Sequence, residues 1–274
     1  MKTTNRILLF IGLVLFLSTT VTIAQDQSKR PEYVSITTMH WNMDQENFDM
    51  DAWKSVEKEF LSKVTKKNEH IMGASFYLHQ FTADNTELIY VQTYKDWDAI
   101  DKASERDNEL SKEAWPDKNV RTAYYKKRNA YYSDVHSDEI YATMSGAKLM
   151  TEDPGKDMTL YFRKSHFAFP DGGTNDEFKT LRKEYLENVV HKNEYIKGYY
   201  PAAHAWGADK TDFIEGFIVE SLADIDKMFD RNTELLKSHW PDENVRKEIG
   251  KKSGKYFTGI HSDYIYTYLS GLSK

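Results

Sequence analysis

The sequence predicts an α+β chain in which one β-α-β-β-α-β module of about 120 residues occurs twice. Two observations carry this. First, Trp115-Pro116-Asp117-Lys118-Asn119-Val120-Arg121 returns as Trp240-Pro241-Asp242-Glu243-Asn244-Val245-Arg246, and His136-Ser137-Asp138-Glu139-Ile140-Tyr141 returns as His261-Ser262-Asp263-Tyr264-Ile265-Tyr266, both at an offset of 125 residues. Second, strand-like and helix-like hydrophobic patterns follow one another in the same order in each copy. A third match, Lys67-Asn68-Glu69 with Lys192-Asn193-Glu194, keeps the offset, so most of the module aligns without gaps. Near its start the offset becomes 126, pairing Val34, Ile36 and His40 with Leu160, Phe162 and His166. Two units are too few for a stacked solenoid. A pseudo-dimer, each copy completing the other, is the expected arrangement.

Within the first copy, Tyr33 to Met43 is rich in β-branched and aromatic residues and reads as a strand. Asp51 opens a helix that presents Trp53, Val56, Phe60, Leu61 and Val64 on one face, answered by Phe178, Leu181, Tyr185, Leu186 and Val189 in the second copy. Gly73 and Gly198 sit where a left-handed residue commonly ends a helix. Ala74 to Phe81 and Glu87 to Tyr94 form a hairpin around Ala83-Asp84-Asn85-Thr86. Asp96 caps a helix through Ile100, Ala103 and Leu110, the Trp-Pro-Asp motif stops it, Asp117 starts another, and Glu139 to Ser145 closes the module as a fourth strand. Tyr124-Tyr125 and Tyr131-Tyr132 read as helix packing. Arg121 and Arg246 pair with carboxylates such as Glu109 and Glu234, with contact to a substrate anion as the alternative.

This is the ferredoxin-like plan, with sheet order 4-1-3-2 and helices on one face. The other face carries Tyr90, Tyr141, Phe213, Phe217 and Tyr266 and needs a cover, which the second copy supplies. The modules span 33–146 and 158–271, joined by a linker over 147–157 in which Asp153-Pro154-Gly155 marks a turn.

Residues 1–24 read as a signal peptide: Lys2 and Arg6 precede the apolar run Ile7 to Leu17, and Ala24-Gln25 suits the cut. The run is shorter than the roughly 20 apolar residues of a spanning helix, so no stable membrane anchor is expected and the protein is read as periplasmic or secreted. Loss of Lys2 and Arg6 moves the formal net charge from −6 to −8. No basic cluster stands without acidic neighbours, which excludes nucleic acid as a partner. The chain has no cysteine, which excludes disulfides, thiolate metal sites and a cysteine nucleophile. The HExxH, GxSxG, GxxxxGK and GxGxxG signatures are also absent from the sequence, removing the main grounds for hydrolase, kinase and dinucleotide-dependent readings.

In topology, module size and tandem fusion the mature chain resembles the dimeric α/β-barrel superfamily. That superfamily includes monooxygenases of the antibiotic-biosynthesis type and related haem-handling barrels. The resemblance implies two sheets closing on each other around a site for a small hydrophobic or aromatic molecule, and a cofactor-free oxygenase acting on an aromatic compound as one activity. A haem or metal protein and a non-catalytic packing module are the alternatives. The resemblance assigns no residue and no cofactor.

Three histidines occur in both copies: His40 with His166, His79 with His204, and His136 with His261. In the 4-1-3-2 plan strands one and two end, and strand four begins, at one sheet end. The expected sites are therefore His40, His79, His136 and Tyr141 in one copy, and His166, His204, His261 and Tyr266 in the other. Imidazoles there can ligate a metal or haem, or exchange protons near neutrality. The simpler reading is half-buried imidazoles bonded to backbone or to Asp138 and Asp263.

Overall fold

Each module of the computed structural model is a four-stranded antiparallel sheet with its helices on one side. Residues 30–150 and 154–274 are described; the expected signal peptide and part of the linker lie outside them. Residues Pro31–Lys274 form one compact unit. The first module comprises β1 (Tyr33–Trp41), α1 (Met50–Lys63), β2 (Gly73–Phe81), β3 (Glu87–Tyr94), α2 (Asp98–Ala114), α3 (Lys118–Asn129) and β4 (Tyr132–Thr143). The second repeats this as β5 (Met158–Phe167), α4 (Asn175–Tyr185), β6 (Gly198–Trp206), β7 (Asp212–Val219), α5 (Ala223–His239), α6 (Glu243–Gly254) and β8 (Phe257–Ser273). No helix among the described residues is long and apolar enough to cross a membrane.

The eight strands close into a barrel in the order β1-β3-β2-β8-β5-β7-β6-β4. Both sheets keep the 4-1-3-2 order, and β2–β8 and β4–β6 form the seams. Every neighbouring pair is antiparallel, so β1 and β5 run in the same sense. The approximate two-fold relating the copies therefore lies along the barrel axis, and equivalent residues reach the same end of the barrel.

Ile36, Ile89 and Tyr141 from the first module interleave with Met158, Leu160, Ala202, Ile214, Ile218, Tyr266 and Tyr268 from the second to fill the interior. This shared core covers the second sheet faces. Its membership corrects the expected one. Tyr141 and Tyr266 do point inward, whereas Tyr90 and Phe217 pack on the helix side, and Phe213 packs at a tilt against Phe167 and Phe257. The inward residues of β3 and β7 are the neighbours, Ile89 and Ile214, because a shift of one residue exchanges the two faces of a strand.

The repeated motifs have structural causes. Asn68 and Asn193 are fully buried, and each side-chain amide donates to the middle of a helix: Asn68 to the Ala103 carbonyl at 2.8 Å, and Asn193 to the Met228 carbonyl at 2.9 Å. Trp115 and Trp240 end α2 and α5, while Asp117 and Asp242 accept the first amides of α3 and α6. Arg121 and Arg246 close the motif by donating to the carbonyls of Trp115 and Trp240, at 2.7 and 2.5 Å. They do not pair with Glu109 and Glu234, whose carboxylates hold Arg106 and Arg231 instead.

Four local expectations change. Asp49, not Asp51, caps α1. The fourth strand begins earlier, at Tyr132, so Tyr132 packs from a strand. Gly73 and Gly198 open strands β2 and β6 and lack positive φ. What they avoid is a clash: a Cβ on Gly73 would lie 2.9 Å from the Thr93 hydroxyl, and one on Gly198 would lie 2.8 Å from the Tyr200 ring.

Candidate functional site

The strand registers create two matched rows at one end of the barrel interior. In one, Tyr266 of β8 pairs with His79 of β2, and Glu87 of β3 pairs with His40 of β1. Leu78 pairs with Leu88, which sets His79 beside Glu87. In the other, Tyr141 of β4 pairs with His204 of β6, Asp212 of β7 pairs with His166 of β5, and the Ala203–Phe213 pair sets His204 beside Asp212. Each row thus draws three strands from one module and its tyrosine from the other.

The expected groupings change accordingly. His40 and His79 are joined by Tyr266 rather than Tyr141, and His166 and His204 by Tyr141 rather than Tyr266. The tyrosines exchange because strand four of each module forms the seam with the other module. His136 lies opposite Met39, a member of the helix-side cluster, and therefore points out of the barrel. His261, opposite Ser165, does the same. Both are exposed and approach Asp138 and Asp263, at 3.6 and 3.3 Å. The three imidazoles of a copy do not share a face, and a site common to all three is ruled out.

The carboxylates of the rows were missed from sequence. Burial, then the bond it donates to Glu87, pushes the Tyr266 phenol above its ordinary range. Burial, then Glu139, which accepts its phenol at 2.8 Å, does the same to Tyr141. Asp212 is fully buried and lies 2.6 Å from Lys164 Nζ. Burial opposes the Lys164 charge, but Asp212 and Glu139 outweigh it and raise its pKa. Lys164 and Glu139 stand where the other row has Thr38 of β1 and Tyr264 of β8, so only the second row carries this ion-pair network. On the adjoining hairpins, hydrogen bonds from Thr86 and Thr211 hold Asp84 and Asp209 below the usual carboxylate range.

A second feature lies on the opposite face of the second sheet. A cavity of about 380 Å³ separates β7 and β8 from α4, α5 and α6. Phe178, Phe213, Phe257, Tyr185 and Trp240 form much of its wall, and Arg182, Glu215 and Arg246 are its charged residues. Arg182 Nη2 donates to the Tyr199 hydroxyl at 3.0 Å, and that hydroxyl donates to Glu215 Oε1 at 2.5 Å. Arg182 Nη1 lies 3.7 Å from the same carboxylate. Its Nε is buried with no hydrogen-bond partner. Burial and then Glu215 raise the Tyr199 phenol well above its ordinary pKa, and burial pushes Tyr185 up to about 12.

The first module fills the same positions. Where the second has Ile249, Gly250 and Ser253, the first has Tyr124, Tyr125 and Arg128. Tyr124 stacks on Trp115 with ring centroids 4.0 Å apart. Arg128 donates a bidentate pair of hydrogen bonds to the buried Glu57, Nε to Oε1 at 2.8 Å and Nη2 to Oε2 at 2.9 Å, and Tyr132 donates to the same carboxylate at 2.7 Å. One module fills that space and the other keeps it.

The sequence matches no protein-family model and no curated protein. Solved structures do resemble the fold. A candidate monooxygenase from Fusobacterium nucleatum superposes with a TM-score of 0.55 at 11% identity, over 87% of this chain and 93% of that one. A candidate monooxygenase from Lactobacillus acidophilus gives 0.53 at 7%, over 88% and 94%. A mutant chlorite dismutase from Candidatus Nitrospira defluvii gives 0.51 at 11%, over 89% and 94%. With the closed eight-strand ring, these likenesses show that the chain has the dimeric α/β-barrel fold, both halves supplied by a single polypeptide.

Proposed function

We propose that this is an exported protein that holds a small aromatic molecule, bearing an anionic or hydrogen-bond-accepting group, in the helix-side cavity of its second module. The observation that carries this is the contrast between the modules: Ile249, Gly250 and Ser253 leave open what Tyr124, Tyr125 and Arg128 fill. Pockets of this kind are apolar with a few convergent polar groups. The lining has two arginines and one carboxylate, a net positive charge that favours an anionic or acceptor group on the ligand. Phe178, Phe213 and Phe257 suit a planar apolar body.

An oxygenase acting without a bound cofactor is the activity that fits this cavity, in line with the monooxygenase-like neighbours. It would need a group to take a proton from an aromatic hydroxyl. Glu215, the only carboxylate among the lining residues, already accepts such a hydroxyl from Tyr199. Haem does not fit this cavity: its lining residues include no histidine, cysteine or methionine to serve as axial ligand, and Tyr185 is protonated at neutral pH.

Mass spectrometry of small molecules extracted from the purified protein should find one aromatic species bound per chain. Arg182→Met should lower its affinity by about tenfold or more, since a lost hydrogen bond to a charged group costs roughly 1.5–3 kcal/mol. Wild-type protein that yields no ligand and binds no aromatic acid would contradict the reading. For export, the N-terminal residue of the secreted material is expected to be Gln25; retention of Met1 would contradict it.

A further inference from the structure

We propose that His166, Asp209 and Asp212 form a binding site for one divalent transition-metal ion, such as Zn²⁺, inside the mouth of the barrel. Three observations converge. The ligand atoms of these residues all lie within 4.8 Å of one another, and among the described residues no other histidine and carboxylate cluster does so. Asp212 is fully buried, yet its Oδ1 makes no hydrogen bond, although His166 Nδ1 is only 3.4 Å away. The spacings also suit a metal. Nδ1 stands 3.2 Å from Asp209 Oδ2 and 3.4 Å from Asp212 Oδ1. A tetrahedral ion with bonds of about 2.0–2.1 Å sets its ligands roughly 3.3–3.5 Å apart, so these groups can take up an ion with little movement.

The surroundings support a cation. Asp209, Asp212 and Glu139 carry three negative charges against one from Lys164, leaving a deficit that a divalent ion neutralises. Lys164 engages Asp212 Oδ2 at 2.6 Å, so Oδ1 is the atom left for the metal. The Thr211 hydroxyl, 3.2 Å from Nδ1, donates to Asp209 Oδ1 at 2.6 Å and so orients that carboxylate. Thr211 or a water completes the coordination. The first module supplies an internal control. His40 and Asp84 recur there with Nδ1 3.3 Å from Oδ2, but the longer Glu87 turns its carboxylate to Tyr266. The site is distinct from the helix-side cavity, because Asp212 faces inward on β7 while Phe213 and Glu215 face out.

Calorimetric titration of the mature protein with Zn²⁺ should show a single site, and Co²⁺ in its place should give the intense visible bands of a four-coordinate ion. His166→Gln and Asp209→Asn should each weaken Zn²⁺ by more than about 100-fold, since even an outer-shell change costs 10–100-fold. Asp84→Asn should leave binding unchanged. Asp209 is half exposed, so its variant reads the site even if His166→Gln does not fold. Absence of the Co²⁺ bands, binding indifferent to Asp209→Asn, or an equal loss in Asp84→Asn would overturn the proposal.

Discussion

Replacing Gly250 with tyrosine is expected to abolish ligand binding in the second module while leaving the protein folded and at least as stable. Gly250 lies within α6, lines the cavity, and a Cβ built there meets nothing within 4 Å. The first module carries Tyr125 at the equivalent position, so the fold already accommodates the ring. Removing a glycine from a helix interior gains roughly 0.5 kcal/mol, and the ring occupies volume the ligand needs. Quenching of Trp240, which lines the cavity, reports binding. The expected result is loss of saturable quenching with an unchanged or raised melting temperature. Undiminished affinity would place the ligand elsewhere.

Arg128→Met is expected to produce the largest loss of stability of any single change considered. Glu57 is 1% exposed, and its carboxylate is held by Arg128 and Tyr132. Burial opposes the Arg128 charge, yet Glu57 outweighs it and raises the guanidinium pKa. Removing the arginine strands a buried carboxylate, at a cost of about 3–5 kcal/mol. That corresponds to a fall of about 1–2 M in the urea midpoint. The double variant Glu57→Leu with Arg128→Met should recover much of the loss, because replacing a buried pair by apolar groups is far milder than breaking it. Ser253→Ala, at the equivalent point of the second module, should change the midpoint little. A single variant as stable as the wild type would show that Glu57 does not depend on its partner.

The repeat made the fold legible before any coordinates. A constant offset of 125 residues fixes two equal modules, the order of strand and helix patterns fixes the topology, and an apolar second sheet face demands a partner sheet. Side-chain direction was less accessible, because the strand period is two residues: Tyr90 and Ile89 are adjacent and apolar, and only the pairing register decides which faces inward. His136 failed for the same reason, and Tyr141 and Tyr266 joined the opposite histidines because seam pairing links distant segments. Glu87 and Asp212 were overlooked because single acidic residues at hairpin ends ordinarily belong to the solvated surface. The cavity did leave a trace in the sequence. Tyr124, Tyr125 and Arg128 align with Ile249, Gly250 and Ser253, a loss of bulk at three positions along one helix. Its meaning needed the packing of the first module, where those side chains meet Glu57, Trp115 and Tyr132.

The most direct test of this account is a crystal structure of the mature protein carrying its co-purified ligand. The account predicts density for one aromatic molecule per chain among Phe178, Phe213 and Phe257, with its acceptor group on Arg182, and filled side-chain packing around Glu57 in the first module. Ligand density inside the barrel, or in the first module between α1 and α3, would contradict it.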